Sequence, residues 1–318
     1  MIALFQNVLL DVTLPIVALV AVGFVMQRRM HFDVSTLNRV LMFIFVPAFL
    51  VHYLSSSRLP IAEVWPTAYF TVVQFLVLIP VGWIAALLFQ YGNRFAAVIA
   101  LTTVYANVGN FGIPLVQLAF PERYILHQSV ITSLVTILIV TVGIWLLAPP
   151  ERGTGFLSRL KLAFETPVIP AVCVGLFLRG FEITLPTVIG KPVEMIGSVF
   201  APLALIALGA QLGDRRPETL SAAAADGPDR GYGALTLAVV LKLMIAPAIT
   251  WGLALFMDLP GDLLDLVVVA SATPVGVILA VFCLDFRREP KFVGQAILVS
   301  TILSPITVTG WIIAMRLT

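Results

Sequence analysis

The sequence predicts an all-α polytopic membrane protein with ten transmembrane helices, built as two inverted five-helix repeats with broken, crossing helices 4 and 9. Three observations predict it: an apolar composition, apolar segments of bilayer-spanning length along the whole chain, and a proline pattern that occurs twice. Of 318 residues, 60% are hydrophobic and 11% are charged, and the mean hydropathy is +1.04. Soluble domains carry about 25% charged residues, so a water-soluble globule does not fit. Most side chains must face lipid or one another. The net charge of +2 comes with no basic stripe, so a nucleic-acid partner is not expected. Cys173 and Cys283 sit in separate apolar runs and read as small buried hydrophobes, not as a disulfide or metal pair.

Ten apolar segments follow: 8–27, 35–55, 66–90, 95–120, 126–147, 166–181, 193–213, 232–257, 263–284 and 293–315. Each can cross about 30 Å of hydrocarbon as a helix. A helix satisfies its own backbone in lipid, and none of these segments has the period-two alternation of a barrel strand. No Lys or Arg precedes Arg28, so the first segment reads as a retained span and not as a signal peptide. The basic residues set the orientation. Thirteen fall in one set of connections (Arg28, Arg29, Arg39, Arg94, Arg152, Arg159, Lys161, Arg215, Arg216, Arg230, Arg287, Arg288 and Lys291) and five in the other (Arg58, Arg123, Arg179, Lys191 and Arg316). The richer side is read as cytoplasmic, which leaves both termini outside.

The prolines repeat. Leu14-Pro15-Ile16-Val17 has a counterpart in Ile169-Pro170-Ala171-Val172, and Phe45-Val46-Pro47 in Phe200-Ala201-Pro202, both displaced by 155 residues. Val72-Val73, Pro80 and Phe89 recur as Val239-Val240, Pro247 and Phe256, displaced by 167, and Pro114 pairs with Pro274 at 160. Five spans per copy is an odd number, so the second copy is inverted, the architecture of many secondary transporters. The division is 1–148 for the first repeat, 149–165 for a cytoplasmic connection and 166–318 for the second repeat.

Span 4 carries Asn107-Val108-Gly109-Asn110-Phe111-Gly112-Ile113-Pro114 in mid-membrane. Gly is about 1 kcal/mol and Pro about 3 kcal/mol worse than Ala inside a helix. The string therefore reads as a helix break near 108–114 whose freed N–H and C=O groups line a wet cavity. A kinked packing helix, with Gly109 and Gly112 admitting a neighbour, is the other reading. Span 9 has Ser271-Ala272-Thr273-Pro274-Val275-Gly276 at the corresponding place. Paired interruptions point to a substrate site, and helix N-termini aimed at it favour a carboxylate. Lys242 is the one basic residue in the core of a span, too deep to snorkel easily. It either adds positive potential to the site or ties down carbonyls freed by a break. The remaining polar residues carry less. Asp11, Glu194, Asp265 and Asp285 lie near span ends, and His31, His52 and His127 are scattered. Gln74, Gln211, Ser300, Thr301 and Ser304 read as interhelical hydrogen-bonding groups. No catalytic constellation, nucleotide fingerprint or metal motif is present.

With these residues the chain resembles the auxin efflux carrier family, whose bacterial members are commonly called malonate or malate permeases. The resemblance rests on the 107–115 string, on Phe45-Val-Pro-Ala-Phe-Leu50, on Ala201–Leu212, on Lys242 with Pro247 and on Ser300–Pro305, and it runs over nearly the whole chain. It implies an elevator-like motion of a transport domain (spans 3–5 and 8–10) against a scaffold (spans 1, 2, 6 and 7), often in a homodimer. It also implies a site at the crossing of spans 4 and 9. Three departures matter: Thr273-Pro274-Val275 lacks the asparagine usual beside that proline, 148–165 is short where plant members have a long loop, and span 3 lacks a charged pair.

The expectation is then a secondary transporter of small organic anions, mono- or dicarboxylate such as malate, malonate or an auxin-like carboxylate. It would sit in the lipid bilayer of an inner or plasma membrane, with no cofactor, no metal and no catalytic residue. The expected substrate residues are Asn107, Gly109, Asn110, Gly112 and Pro114 in span 4, Ser271, Thr273, Pro274 and Gly276 in span 9, and Lys242. An ion or solute channel or a sensor on the same fold needs no paired breaks, and an intramembrane enzyme needs a convergent nucleophile and base.

Overall fold

The computed structural model describes residues 6–56, 61–147, 167–214 and 230–317. The cytoplasmic connection expected at 149–165, most of 214–231, and the basic residues Arg58, Arg152, Arg159, Lys161, Arg215 and Arg216 lie outside the described residues. The described residues hold twelve helices and no strand. They are α1 (Gln6–Met30), α2 (Val34–Ser56), α3 (Ile61–Leu88), α4 (Asn93–Val104), α5 (Gly112–Ala119), α6 (Tyr124–Leu147), α7 (Val168–Gly180), α8 (Thr187–Gly213), α9 (Gly231–Phe256), α10 (Gly261–Ser271), α11 (Ile278–Asp285) and α12 (Pro290–Leu317). Seven of them (α1, α2, α3, α6, α8, α9 and α12) are long and apolar enough to cross a bilayer.

Prolines and polar caps explain much of the local geometry. Asp33 caps α2 by accepting from the Ser35 N–H (2.9 Å) and from the hydroxyls of Ser35 (2.8 Å) and Thr36 (2.6 Å). The Thr36 and Ser35 hydroxyls hold its carboxyl down at about 2. Within the long helices, wide π turns at Leu9–Thr13, Leu41–Phe45 and Leu241–Ile245 each end two residues before a proline: Pro15, Pro47 and Pro247. A proline donates no N–H and its ring crowds the carbonyl four residues back, and a widened turn relieves that contact. At Pro247 the carbonyl left over belongs to Leu243, and the Trp311 indole N–H of α12 donates to it at 2.9 Å.

Among the described residues, packing gathers the helices into three apolar clusters that share helices. Lipid is as apolar as these side chains, so close approach and interhelical hydrogen bonds hold helices together, not burial from water. α1 and α8 touch backbone to backbone. A Cβ placed on Gly23 would lie 1.9 Å from Ile206 O, and one on Gly209 would lie 1.9 Å from Val20 O. α2 and α7 pack around Phe49, Leu50, Leu54 and Ala171, against Phe200 and Ala204 of α8. A separate and larger core joins Phe70 and Phe75 of α3, Leu101 of α4, Ile131 of α6, Leu241 of α9, Leu266 of α10, Phe282 of α11 and Phe292 of α12. Of the two cysteines, Cys283 is buried, but Cys173 is exposed on the outer face of α7. Its expected burial fails because an apolar run does not reveal which side of the helix faces lipid.

The two interruptions fall close to their expected places, with one shift. The chain leaves the helix after Val104 and re-enters it at Gly112, so the break is 105–111 and not 108–114. Pro114 lies in the first turn of α5, where the absent N–H and the fixed φ of proline cost little. The second break runs 272–277, between α10 and α11, with Pro274 inside it. Helix ends at the two breaks lie 167 residues apart at Val104 and Ser271, and 166 apart at Gly112 and Ile278. Pro274 therefore stands opposite Asn107 in that register, not opposite Pro114.

Candidate functional site at the helix crossing

The two breaks meet. Asn107 N–H donates to Pro274 O at 2.7 Å, and Gly276 N–H donates to Tyr105 O at 3.1 Å, so Ala106 and Val275 face each other as a one-residue antiparallel bridge. Backbone released from one helix thus satisfies backbone released from the other. Gly276 makes the approach possible, since a Cβ there would lie 2.2 Å from the Tyr105 ring. Gly112 has the same role against Gln128, whose Nε2 would be 2.7 Å from an added Cβ.

Neighbouring helices take up the groups that remain. Val108 O accepts from Gln128 Nε2 (2.7 Å) and Thr132 Oγ1 (3.1 Å) of α6. Val275 N–H donates to Ser300 Oγ of α12 at 3.1 Å. Lys242 is fully buried, and its Nζ donates to Ser271 O, the last carbonyl of α10, at 3.1 Å. The ammonium thus sits at the partially negative end of a half-helix. Gln74 Nε2 donates to Thr250 Oγ1 at 2.8 Å, and that hydroxyl lies 3.0 Å from Ser271 Oγ. One polar chain from α3 and α9 therefore holds the end of α10.

A cavity of about 500 Å³ opens beside the crossing. Tyr105, Ala106, Asn107, Val108, Gly109 and Asn110 form one wall, with Thr132 and Thr136 of α6. The opposite wall comes from α2 (Asn38, Arg39, Leu41, Met42, Phe43, Val46 and Leu50), with Phe200 and Gln211 of α8. Val277, Ile278 and Val281 complete it from the second break. Asn107 is 6% exposed, and its Nδ2 has no hydrogen-bond partner among the described residues. A buried amide N–H left without an acceptor costs about 1–3 kcal/mol. It is a buried, unmatched donor beside the cavity that Asn107 helps to line.

Of the expected site residues, Asn107, Gly109 and Asn110 line this cavity. Gly112 and Pro114 lie behind it in α5, and Ser271, Thr273, Pro274, Gly276 and Lys242 are not among its lining residues. They shape and hold the crossing. Sequence reasoning missed Tyr105, Thr132, Thr136 and Asn38 altogether, took Arg39 only as an orientation signal and took Gln211 only as an interhelical bond. The Thr132/Thr136 pair, four residues apart on one face of a helix, was a usable signal. Gln211 does make the expected bond, to Asn38 Oδ1 at 2.8 Å, but at the cavity wall.

A family model described as membrane transport protein matches residues 8–312. The chain belongs to that family. It is the family of the auxin efflux carriers, so the resemblance drawn from the 107–115 string holds at family level. Its members are membrane transporters, so this membrane transport protein handles a substrate across a lipid bilayer. No curated protein matches the chain.

Proposed function

We propose that this transporter carries small organic anions, with a carboxylate as the recognised group, by an elevator-type alternating-access cycle. The observation that carries the reading is the unpartnered Asn107 amide at the crossing of two broken helices, facing a cavity that a small organic acid fits. Among the described residues the lining supplies donors from Asn107, Asn110, Thr132 and Thr136, one cation in Arg39, and no Asp or Glu. Mono- or dicarboxylates such as malate and malonate, and auxin-like carboxylates, all belong to this class. The apolar majority of the lining, with Phe43, Met42, Leu50, Phe200 and Ile278, favours an acid with an apolar body over a short dicarboxylate.

The mechanism follows from packing and symmetry. Ten spans form two inverted repeats, 1–148 and 166–318, joined by 149–165. The recurrence of helix ends 166–167 residues apart supports this. Helices α3–α6 and α9–α12 form the transport domain, and α1, α2, α7 and α8 form the scaffold; most of the largest apolar cluster lies within the former set, and two further clusters join the two sets. The site lies mostly on the transport domain, and its far wall on the scaffold. Sliding one domain past the other would carry the crossing from one membrane face to the other. The cavity lies toward Arg39, on the side richer in Lys and Arg. With that side cytoplasmic and both termini outside, the state described is inward-open. A homodimer in an inner or plasma membrane is part of the same reading.

Flux of malate, malonate, hexanoate and phenylacetate in proteoliposomes tests this. Saturable flux of at least one acid, lost in Asn107→Ala and Asn110→Ala, is the expected result. Unsaturable conductance, or flux unchanged in both variants, would remove the crossing as the site.

A further inference from the structure

The sequence leaves Lys242 between adding positive potential to the site and tying down freed carbonyls; it is fully buried, and its ammonium is engaged with Ser271 O. A different cation lines the cavity. Arg39 lies in the second turn of α2, is exposed, and among the described residues is the only charged side chain in the lining. Among the described residues no ion pair or hydrogen bond occupies its guanidinium, whereas Arg123 is paired with Asp262 and Arg230 with Glu289. Its neighbour Asn38 is fixed by Gln211, so the turn that carries Arg39 is anchored to α8. Arg39 itself is exposed, so solvent screens its charge until an anion enters and displaces water from the mostly apolar walls.

We propose that Arg39 is the charge-selecting residue of this carrier: its guanidinium pairs with the carboxylate of the organic anion that enters the cavity, while the crossing asparagines orient the rest of the molecule. Arginine suits this task, because its planar fork takes both carboxylate oxygens at once and stays charged at every working pH. The inference rests on the crossing-site reading and adds a consequence. Arg39 belongs to the scaffold, so a transport domain that slides away leaves the guanidinium behind. The anion is then held more tightly in the state open toward Arg39 than in the opposite state, and a carboxylate ligand shifts the population toward the former.

The test compares charged and neutral ligands on purified, folded protein. Dissociation constants are measured for phenylacetate and hexanoate and for their neutral amides, with wild type, Arg39→Lys, Arg39→Gln and Arg29→Gln. Arg29 is exposed on the same membrane side but does not line the cavity, so it controls for general surface potential. Wild type should bind the acids more tightly than the amides. Arg39→Gln should weaken acid binding roughly ten- to hundred-fold, the loss expected for a charged hydrogen bond, and leave the amides unchanged. Arg39→Lys should fall between, and Arg29→Gln should match wild type. Acid-over-amide preference that survives Arg39→Gln, or that falls equally in Arg29→Gln, overturns the assignment. The crossing site fails separately: acid and amide binding would then both be insensitive to Asn107→Ala, or absent in wild type.

Discussion

Asn107 and Lys242 are both polar side chains buried at the crossing, and what separates them is the partner. Asn107 Nδ2 has none, so it is available to a ligand. Lys242 Nζ already has Ser271 O. Asn107→Ala would strand a substrate acceptor, costing about 1–3 kcal/mol, or roughly 5- to 150-fold in dissociation constant. Its ligand-free melting temperature should be equal to or above that of wild type, because an unsatisfied buried donor is removed. A variant that binds like wild type contradicts the role given to Asn107. For Lys242→Met two terms nearly cancel. The charged hydrogen bond returns about 1.5–3 kcal/mol, against at least about 2.5 kcal/mol for a charge at mid-bilayer. Stability is therefore a poor discriminator, and binding is the useful readout. The folded Lys242→Met protein should bind anion within about twofold of wild type, a factor worth under ~0.5 kcal/mol. A tenfold loss would put Lys242 back in the site. The sequence showed that Lys242 is deep but not which way it points, because its partner lies 29 residues away on another helix.

At the scale of elements, the crossing depends on backbone contact. Gly276→Ala would drive a methyl group into the Tyr105 ring, and overpacking of that kind costs about 1–3 kcal/mol. The expected outcome is a lower melting temperature together with loss of flux, because Tyr105 and Gly276 share a ladder bond. An intact melting temperature and flux would mean that the two breaks do not touch. The same logic at α1 and α8 gives Gly209→Val a loss of folded yield, since that glycine meets the Val20 carbonyl directly. The all-helical class, the existence of both breaks and their approximate positions were legible, because glycine, proline and asparagine clustered in an apolar run disfavour a continuous helix. The register of the second break was not. Pro114 and Pro274 look equivalent in sequence, yet one sits in a helical first turn, where proline is tolerated, and the other inside the break. The cavity's far wall was also illegible: Asn38, Arg39 and Gln211 look like ordinary span-end residues until α2 and α8 are placed against the crossing.

For the whole molecule, the proposed orientation with both termini outside, drawn from the distribution of Lys and Arg, predicts that a C-terminal reporter active only in the cytoplasm is silent. An active reporter would mean that the orientation, and with it the inward-open assignment, is reversed. The larger claim is that the crossing serves both membrane faces in turn. Thiol labelling of a single cysteine at position 110, in a background of Cys173→Ser and Cys283→Ala, addresses it most directly. Sealed vesicles are treated with an impermeant reagent from one face and then from the other, with and without a transported carboxylate. The account predicts labelling from each face at a rate set by the fraction of molecules open to it, slowed from both faces by substrate, with no ionic leak through the unlabelled protein. Labelling from both faces accompanied by a steady leak would describe a pore, and labelling from the Arg39 side alone under every condition would describe a fixed pocket.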